Sequence, residues 1–139
     1  MLTRMIQEIS LKNLQLPSKP DIEQDLNWLC RSLGFVSNRD REETAAKIFR
    51  LIVDAAVQKH ALSSEEMAEK THLTRAAVLH HVKSYVGSGV IIQERTRYIL
   101  RMRSLQKTIE EIEQDTMRIF SNLKRIAKEM DENLGLPYR

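Results

Sequence analysis

The sequence predicts a mainly α-helical chain with one small β-hairpin and a long, coiled-coil-like C-terminal helix. Three observations lead there. Only 4 Gly and 3 Pro occur in 139 residues, which argues against a turn-rich all-β chain and against disorder. Two short strand-like runs, Val90-Ile91-Ile92 and Tyr98-Ile99-Leu100, lie a hairpin apart. From Leu105 to Met130 apolar residues then recur by fours and threes, the spacing of a heptad seam.

Taken in order, residues 1–20 form an N-terminal arm and linker. Leu2, Met5, Ile6 and Ile9 fit a helical stripe that Leu11, Leu14 and Leu16 do not extend. Pro17 and Pro20 mark the linker. The arm reads as separate from the core and free to dock on a partner chain. Asp21 caps a helix over 22–33, with Ile22, Leu26, Leu29, Cys30 and Leu33 as its stripe and Gly34 as its stop. Asn38 or Asp40 caps the next helix, with Glu42 and Glu43 in its first turn. That helix buries Ala45, Ile48, Phe49, Ile52, Ala55 and Ala56 and ends near His60.

Ser63 with Glu66 three residues later is a capping-box pattern. It opens a short helix over 64–70, with Met67 and Ala68 pointing inward. Thr71-His72-Leu73 is a tight break. Thr74 caps the following helix, 75–87, with Ala77, Val78, Val82, Tyr85 and Val86 as its apolar set, and Gly87-Ser88-Gly89 ends it. The strands 90–94 and 98–100 follow, with Arg95-Thr96-Arg97 as the hairpin tip. A last helix spans 104–134 on the seam Leu105, Ile109, Ile112, Thr116, Ile119, Leu123, Ile126 and Met130, roughly 45 Å long at 1.5 Å per residue. Residues 135–139 are a tail.

Several function classes drop out. A single Cys, Cys30, forms no intrachain disulfide and no Cys-rich zinc site; it reads as a small buried hydrophobe. The six Met residues read as core filler. No apolar run approaches the roughly 20 residues that span a bilayer. The charged N-terminus lacks a signal peptide's apolar core, so a cytoplasmic protein is expected. The four His residues fall in no HExxH pattern, and no Gly-rich phosphate loop or nucleophile elbow is present. The expectation is a non-enzyme with no cofactor and no metal.

Charge is unevenly placed. The net charge is only +3, but residues 75–103 hold Arg75, Lys83, Arg95, Arg97, Arg101 and Arg103 against the single acid Glu94, a local net of +5. Such a field attracts a polyanion. Over residues 21–103 the order helix, short helix, tight turn, helix, hairpin describes a winged helix-turn-helix domain, in which the helix after the turn enters a major groove about 12 Å wide.

Within that stretch, Leu73, Thr74, Ala77, Val78, His81, Val82, Lys83, Tyr85, Gly89, Val90 and Ile91 form a pattern that resembles the recognition segment of the ArsR-like and MarR-like transcription regulators. The resemblance covers about 40 residues, Ser63–Leu100. It implies a regulator that binds double-stranded DNA. Two features depart from the family. Residues 61–103 lack the paired cysteines, and 104–139 the histidine sets, of the metal-sensing members. Leu79 stands where a serine is frequent.

The expected DNA-binding residues are Thr74, Arg75, Ala76, Leu79, His80 and Lys83 on the helix and Arg95 and Arg97 at the wing tip. His80 and His81 point about 100° apart on a helix; His80 is the expected contact and His81 flanks the core. Arg101 and Arg103 could serve only the start of the last helix. Leu105, Ile109, Ile112, Ile119, Leu123, Ile126 and Met130 are the expected dimerisation residues, with Trp28, Leu29 and Leu33 of the first helix packed against them. A homodimer would place two recognition helices about 34 Å apart on a two-fold operator. Two other readings stay open: a nucleoid-associated architectural protein without sequence preference, and a protein-interaction module using an outward Leu79. No residue specifies a small-molecule effector.

Overall fold

The computed structural model describes residues 6–36 and 42–137. The proposed caps Asn38 and Asp40 and the arm residues Leu2 and Met5 lie outside them. The chain is mainly helical, with five helices and one three-stranded antiparallel sheet among the described residues. In chain order the elements are α1 (Ile22–Ser32), α2 (Glu42–Val57), β1 (Leu62–Ser63), α3 (Ser64–Thr71), α4 (Arg75–Ser88), β2 (Ile91–Glu94), β3 (Arg97–Leu100) and α5 (Leu105–Leu134).

Local chemistry explains most boundaries. Asp21 accepts from the Glu23 amide to start α1, and Gly34 follows its end at φ +70°. Ser63 and Glu66 form the full capping box: the Ser63 hydroxyl accepts from the Glu66 amide while the Glu66 carboxylate accepts from the Ser63 amide. Two of the amide groups that every helix start leaves orphaned are thereby satisfied. Thr74 and Ser104 cap α4 and α5 through the Ala77 and Lys107 amides. Gly89 and Gly135 close α4 and α5 in the left-handed conformation.

The core is one cluster. Ile48, Phe49 and Ile52 of α2 meet Val78, Val82 and Tyr85 of α4, with Leu26 and Cys30 of α1, Met67 of α3, Ile91 and Leu100 from the sheet, and Ile112 of α5. Phe35, Phe49 and Tyr85 form an aromatic trio with ring centroids 4.6 to 5.8 Å apart. The Tyr85 hydroxyl donates to the Ala45 carbonyl at 2.7 Å, so its polar tip is satisfied where the ring is buried.

The structure corrects four expectations. The described arm residues 6–20 contain no helix, and they do not stand apart. They run as a strap over the domain: the Glu8 amide donates to the Gly87 carbonyl, the Lys12 amide to Ser32, and Trp28 donates to the Gln15 carbonyl. At Gly34 any Cβ would come within 2.4 Å of Ser10, so glycine there both turns the chain and admits the strap.

Second, the sheet has a third strand, β1, too short to show periodicity. Its two residues pair with Tyr98 and Arg97. Third, Arg97 lies in β3 rather than at the tip, opposite Glu94. Fourth, the seam of α5 is divided. Ile112 is 3% exposed and belongs to this chain's own core, with Leu105 and Ile109 packed against it, while Ile119, Leu123, Ile126 and Met130 remain 37–57% exposed. The first three therefore anchor α5 to its own domain and are not part of a free dimer seam. Leu33 is likewise in that core, and α1 packs on α2.

Candidate functional site

The basic segment folds into α4 and the β2–β3 hairpin. α4 begins after a short turn in which His72 takes a left-handed conformation, φ +58°, and closes α3 with its amide on the Ala68 carbonyl. The Thr71 hydroxyl, buried, donates to the Met67 carbonyl at 2.7 Å. The turn therefore ties these polar groups back to α3.

α4 has two faces. Val78, His81, Val82, Tyr85 and Ser88 are buried. Arg75, Ala76, His80, Lys83 and Ser84 are exposed. Ala76, His80 and Lys83 fall at i, i+4 and i+7, so they share one stripe. As expected from the 100° step, His80 faces outward and His81 inward. The two rings meet edge to face with centroids 5.0 Å apart. α4 contains no carboxylate, and its N-terminal amide groups add partial positive charge. Leu79 is half-buried, so the apolar outward surface that would suit a protein partner is smaller than its sequence position implies.

The other predicted residues divide. Thr74 is exposed and caps the helix. Arg75 extends back to α3, its Nε donating to Ser64 Oγ at 3.0 Å and lying 3.2 Å from the Glu65 carboxylate. Arg95 is at the hairpin tip in a left-handed conformation, φ +59°, and the Gln93 side chain donates to its carbonyl. Arg97 is engaged inside the domain instead: its Nη1 donates to the Ala61 carbonyl and the Glu66 carboxylate. Its backbone register explains this, because pairing with Ser63 carries it to the start of α3.

Glu66 is thus a shared acceptor. The Ser63 amide, His60 and Arg97 hold its carboxyl at about 2, far below the ordinary 4.5.

Arg101 also works within the fold. It is 2.6 Å from Asp115 and 3.7 Å from Glu111. Asp115 is 5% exposed and also receives Gln7 at 2.8 Å and Arg118. The Arg101 hydrogen bond, with help from Gln7 and Arg118, keeps its carboxyl below the usual range, against burial. Sequence reading missed this cluster because Asp115 sits beside the seam and Gln7 lies 108 residues away. One signal was available: the seam's single polar member, Thr116, adjoins Asp115 where α5 leaves the core.

A groove of about 550 Å³ runs between the strap, β2 and α5, lined by Ile6, Gln7, Ile91, Gln93, Arg101 and Asp115 among others. Among the described residues, no group of three or more His, Cys, Asp or Glu is placed to hold a metal ion. Among them also, no helix is long and apolar enough to cross a membrane. Compared with protein-family models, curated proteins and solved structures, the chain matches none.

Proposed function

We propose that this chain is a winged helix-turn-helix protein that binds double-stranded DNA as a homodimer and regulates transcription. The observation that carries the reading is the outward stripe of α4, Ala76–His80–Lys83, on a helix without carboxylates. Ala76 leaves room for close approach to the groove floor. His80 offers ring N–H and N acceptor groups to base edges, and Lys83 meets a phosphate. Thr74 and the N-terminal end of α4 suit a further phosphate. Arg95, at the tip of the hairpin, is the wing residue for the backbone or minor groove. Arg97 is withdrawn from that role, because its guanidinium is engaged by Glu66.

The dimer reading is supported by α5. Beyond Thr116 it carries an exposed stripe of Ile119, Leu123, Ile126 and Met130 with heptad spacing. A second copy of the same helix covers such a stripe by knobs-into-holes packing. Two domains joined in this way would present two α4 helices to a two-fold site. The protein would then act in the cytoplasm, on the nucleoid.

The test is selection of bound duplexes from a random pool at two salt concentrations. A steep salt dependence with an enriched two-fold motif supports a specific regulator. Steep dependence with no motif replaces it with an architectural role. Absence of binding at low salt overturns both.

A further inference from the structure

We infer that Glu65 is an internal competitor for Arg75, holding down the protein's affinity for the DNA backbone. Arg75 is the first residue of α4, at the helix end where phosphate is favoured. Its guanidinium is shared between Ser64 and Glu65 of α3, at 3.0 and 3.2 Å. Both charged side chains are about two-thirds exposed, 65% and 67%, so the pair stands at the surface rather than in the core. The backbone amide bond to Glu65 and the Arg75 charge keep this carboxyl below its ordinary range, so it is ionised at neutral pH.

To a guanidinium, a carboxylate and a phosphate offer the same chemistry: anionic oxygens that accept N–H bonds. A phosphate that reaches Arg75 competes with Glu65 for this guanidinium, whose Nε faces the carboxylate. Even where the phosphate takes the remaining N–H donors, the carboxylate stands next to the charge of the duplex and repels it. The free protein thus contains, on its own α3, a group that opposes its proposed ligand at Arg75. Glu66, one residue on, is the capping-box member and makes no such contact with Arg75. The two adjacent carboxylates therefore have separate tasks: Glu66 secures the fold, and Glu65 sets the strength of a surface contact. Exposed pairs of this kind move an equilibrium by roughly two- to fivefold. That factor falls wholly on sequence-independent binding, which is built from phosphate contacts.

The inference rests on the DNA reading, and the experiment separates the two. Binding of the full chain to a random-sequence duplex is followed by fluorescence anisotropy at several salt concentrations. The variants are Glu65→Gln, Glu69→Gln as an exposed carboxylate on the same helix, and each of these with Arg75→Ala. Circular dichroism checks that α3, still capped by Ser63 and Glu66, is retained. The expected result is that Glu65→Gln binds roughly two- to fivefold more tightly and steepens the logarithmic salt slope by up to about 0.9. Glu69→Gln gains less, and the Glu65→Gln gain disappears with Arg75→Ala. An equal gain from Glu69→Gln, or a gain that survives Arg75→Ala, overturns the inference while leaving DNA binding intact. Absence of binding by both wild type and Glu65→Gln at low salt overturns the DNA reading and the inference with it.

Discussion

Gln7 and Asp115 are joined by a 2.8 Å hydrogen bond, from the Gln7 amide nitrogen to a carboxylate that is 5% exposed. The same carboxylate holds Arg101 from the end of the sheet and Arg118 from α5. The strap, the sheet and the long helix therefore meet at one side chain. Gly89, at φ +90°, lies beside this bond, with its Cβ position 2.8 Å from the Gln7 nitrogen, and its left-handed backbone favours glycine where the strap crosses the end of α4. Removing the buried acceptor leaves charged and polar donors without a partner, the costly half of a hydrogen-bond deletion. Asp115→Ala is expected to lower stability by about 2 kcal/mol and Gln7→Ala by about 1 kcal/mol. Asp115→Asn, whose amide oxygen still accepts, falls between. Urea unfolding followed by circular dichroism measures all three, and an Asp115→Ala chain as stable as wild type contradicts the role.

Glu66 predicts an acid-sensitive element. Its folded carboxyl lies at about 2 against an ordinary 4.5. Because the folded value is depressed, the unfolded chain takes up protons first as pH falls. The stabilisation is therefore fully present above about 4.5 and is lost progressively between there and about 2. Glu66→Gln keeps a capping-box partner for Ser63 but loses the ion pair with Arg97. Thermal unfolding across this pH range is expected to show wild type above Glu66→Gln at neutral pH, with the gap closing toward the acid end. A gap that is constant with pH contradicts the assignment.

Tyr85 joins packing and polar satisfaction in one residue. Tyr85→Phe removes the bond to the Ala45 carbonyl and is expected to cost about 1 kcal/mol. Tyr85→Ala also empties the aromatic trio and is expected to cost about 4 kcal/mol. Chemical denaturation distinguishes the two, and equal losses would contradict a separate contribution from the hydroxyl.

Ile112 and Ile126 lie on the same seam of α5 but have different surroundings, one in the core and the other 49% exposed. Ile112→Ala is expected to destabilise the fold by about 3 kcal/mol. Ile126→Lys is expected to leave the domain folded and, on the proposed dimer, to shift it to monomer. Sedimentation velocity with a parallel thermal melt checks both. A monomeric wild type, or an Ile126→Lys dimer, contradicts the proposed interface.

These contrasts show what a linear reading can reach. Elements set by local chemistry were legible: the Asp21, Ser63 and Thr74 caps involve groups within three residues of each other, and the stops at Gly34 and Gly89 require left-handed backbone. Burial of Ile48, Phe49, Ile52, Val78, Val82 and Tyr85 followed from helical period. The strap did not, because its bonds to Gly87, Ser32 and Asp115 join distant segments, and the helical spacing of Ile6 and Ile9 pointed to a helix that the described residues 6–20 do not form. Nor did the division of α5, since a heptad pattern is the same whether its partner is the chain's own core or another chain. Arg97 was misplaced because the hairpin turn is only Arg95-Thr96: Arg97 already pairs with Glu94, and the two-residue strand β1 then pairs with it from the other side. On α4, the opposite orientations of His80 and His81 followed from the helical step, whereas the pairing of Arg75 with Glu65 depends on how α3 packs and left no trace in the spacing.

The central claim is that the exposed stripe of α4 meets DNA, and one titration tests it most directly. A labelled duplex pool is titrated at low salt with wild type and with the double variant His80→Glu, Lys83→Glu. Both residues are exposed, and because the His80 ring also meets that of His81, the melting temperature of each protein is measured alongside. The account predicts that wild type binds and that the variant loses at least about tenfold in affinity, from the lost contacts and from repulsion by the phosphates. Equal binding by the two proteins at equal stability, or no binding by either, would contradict it.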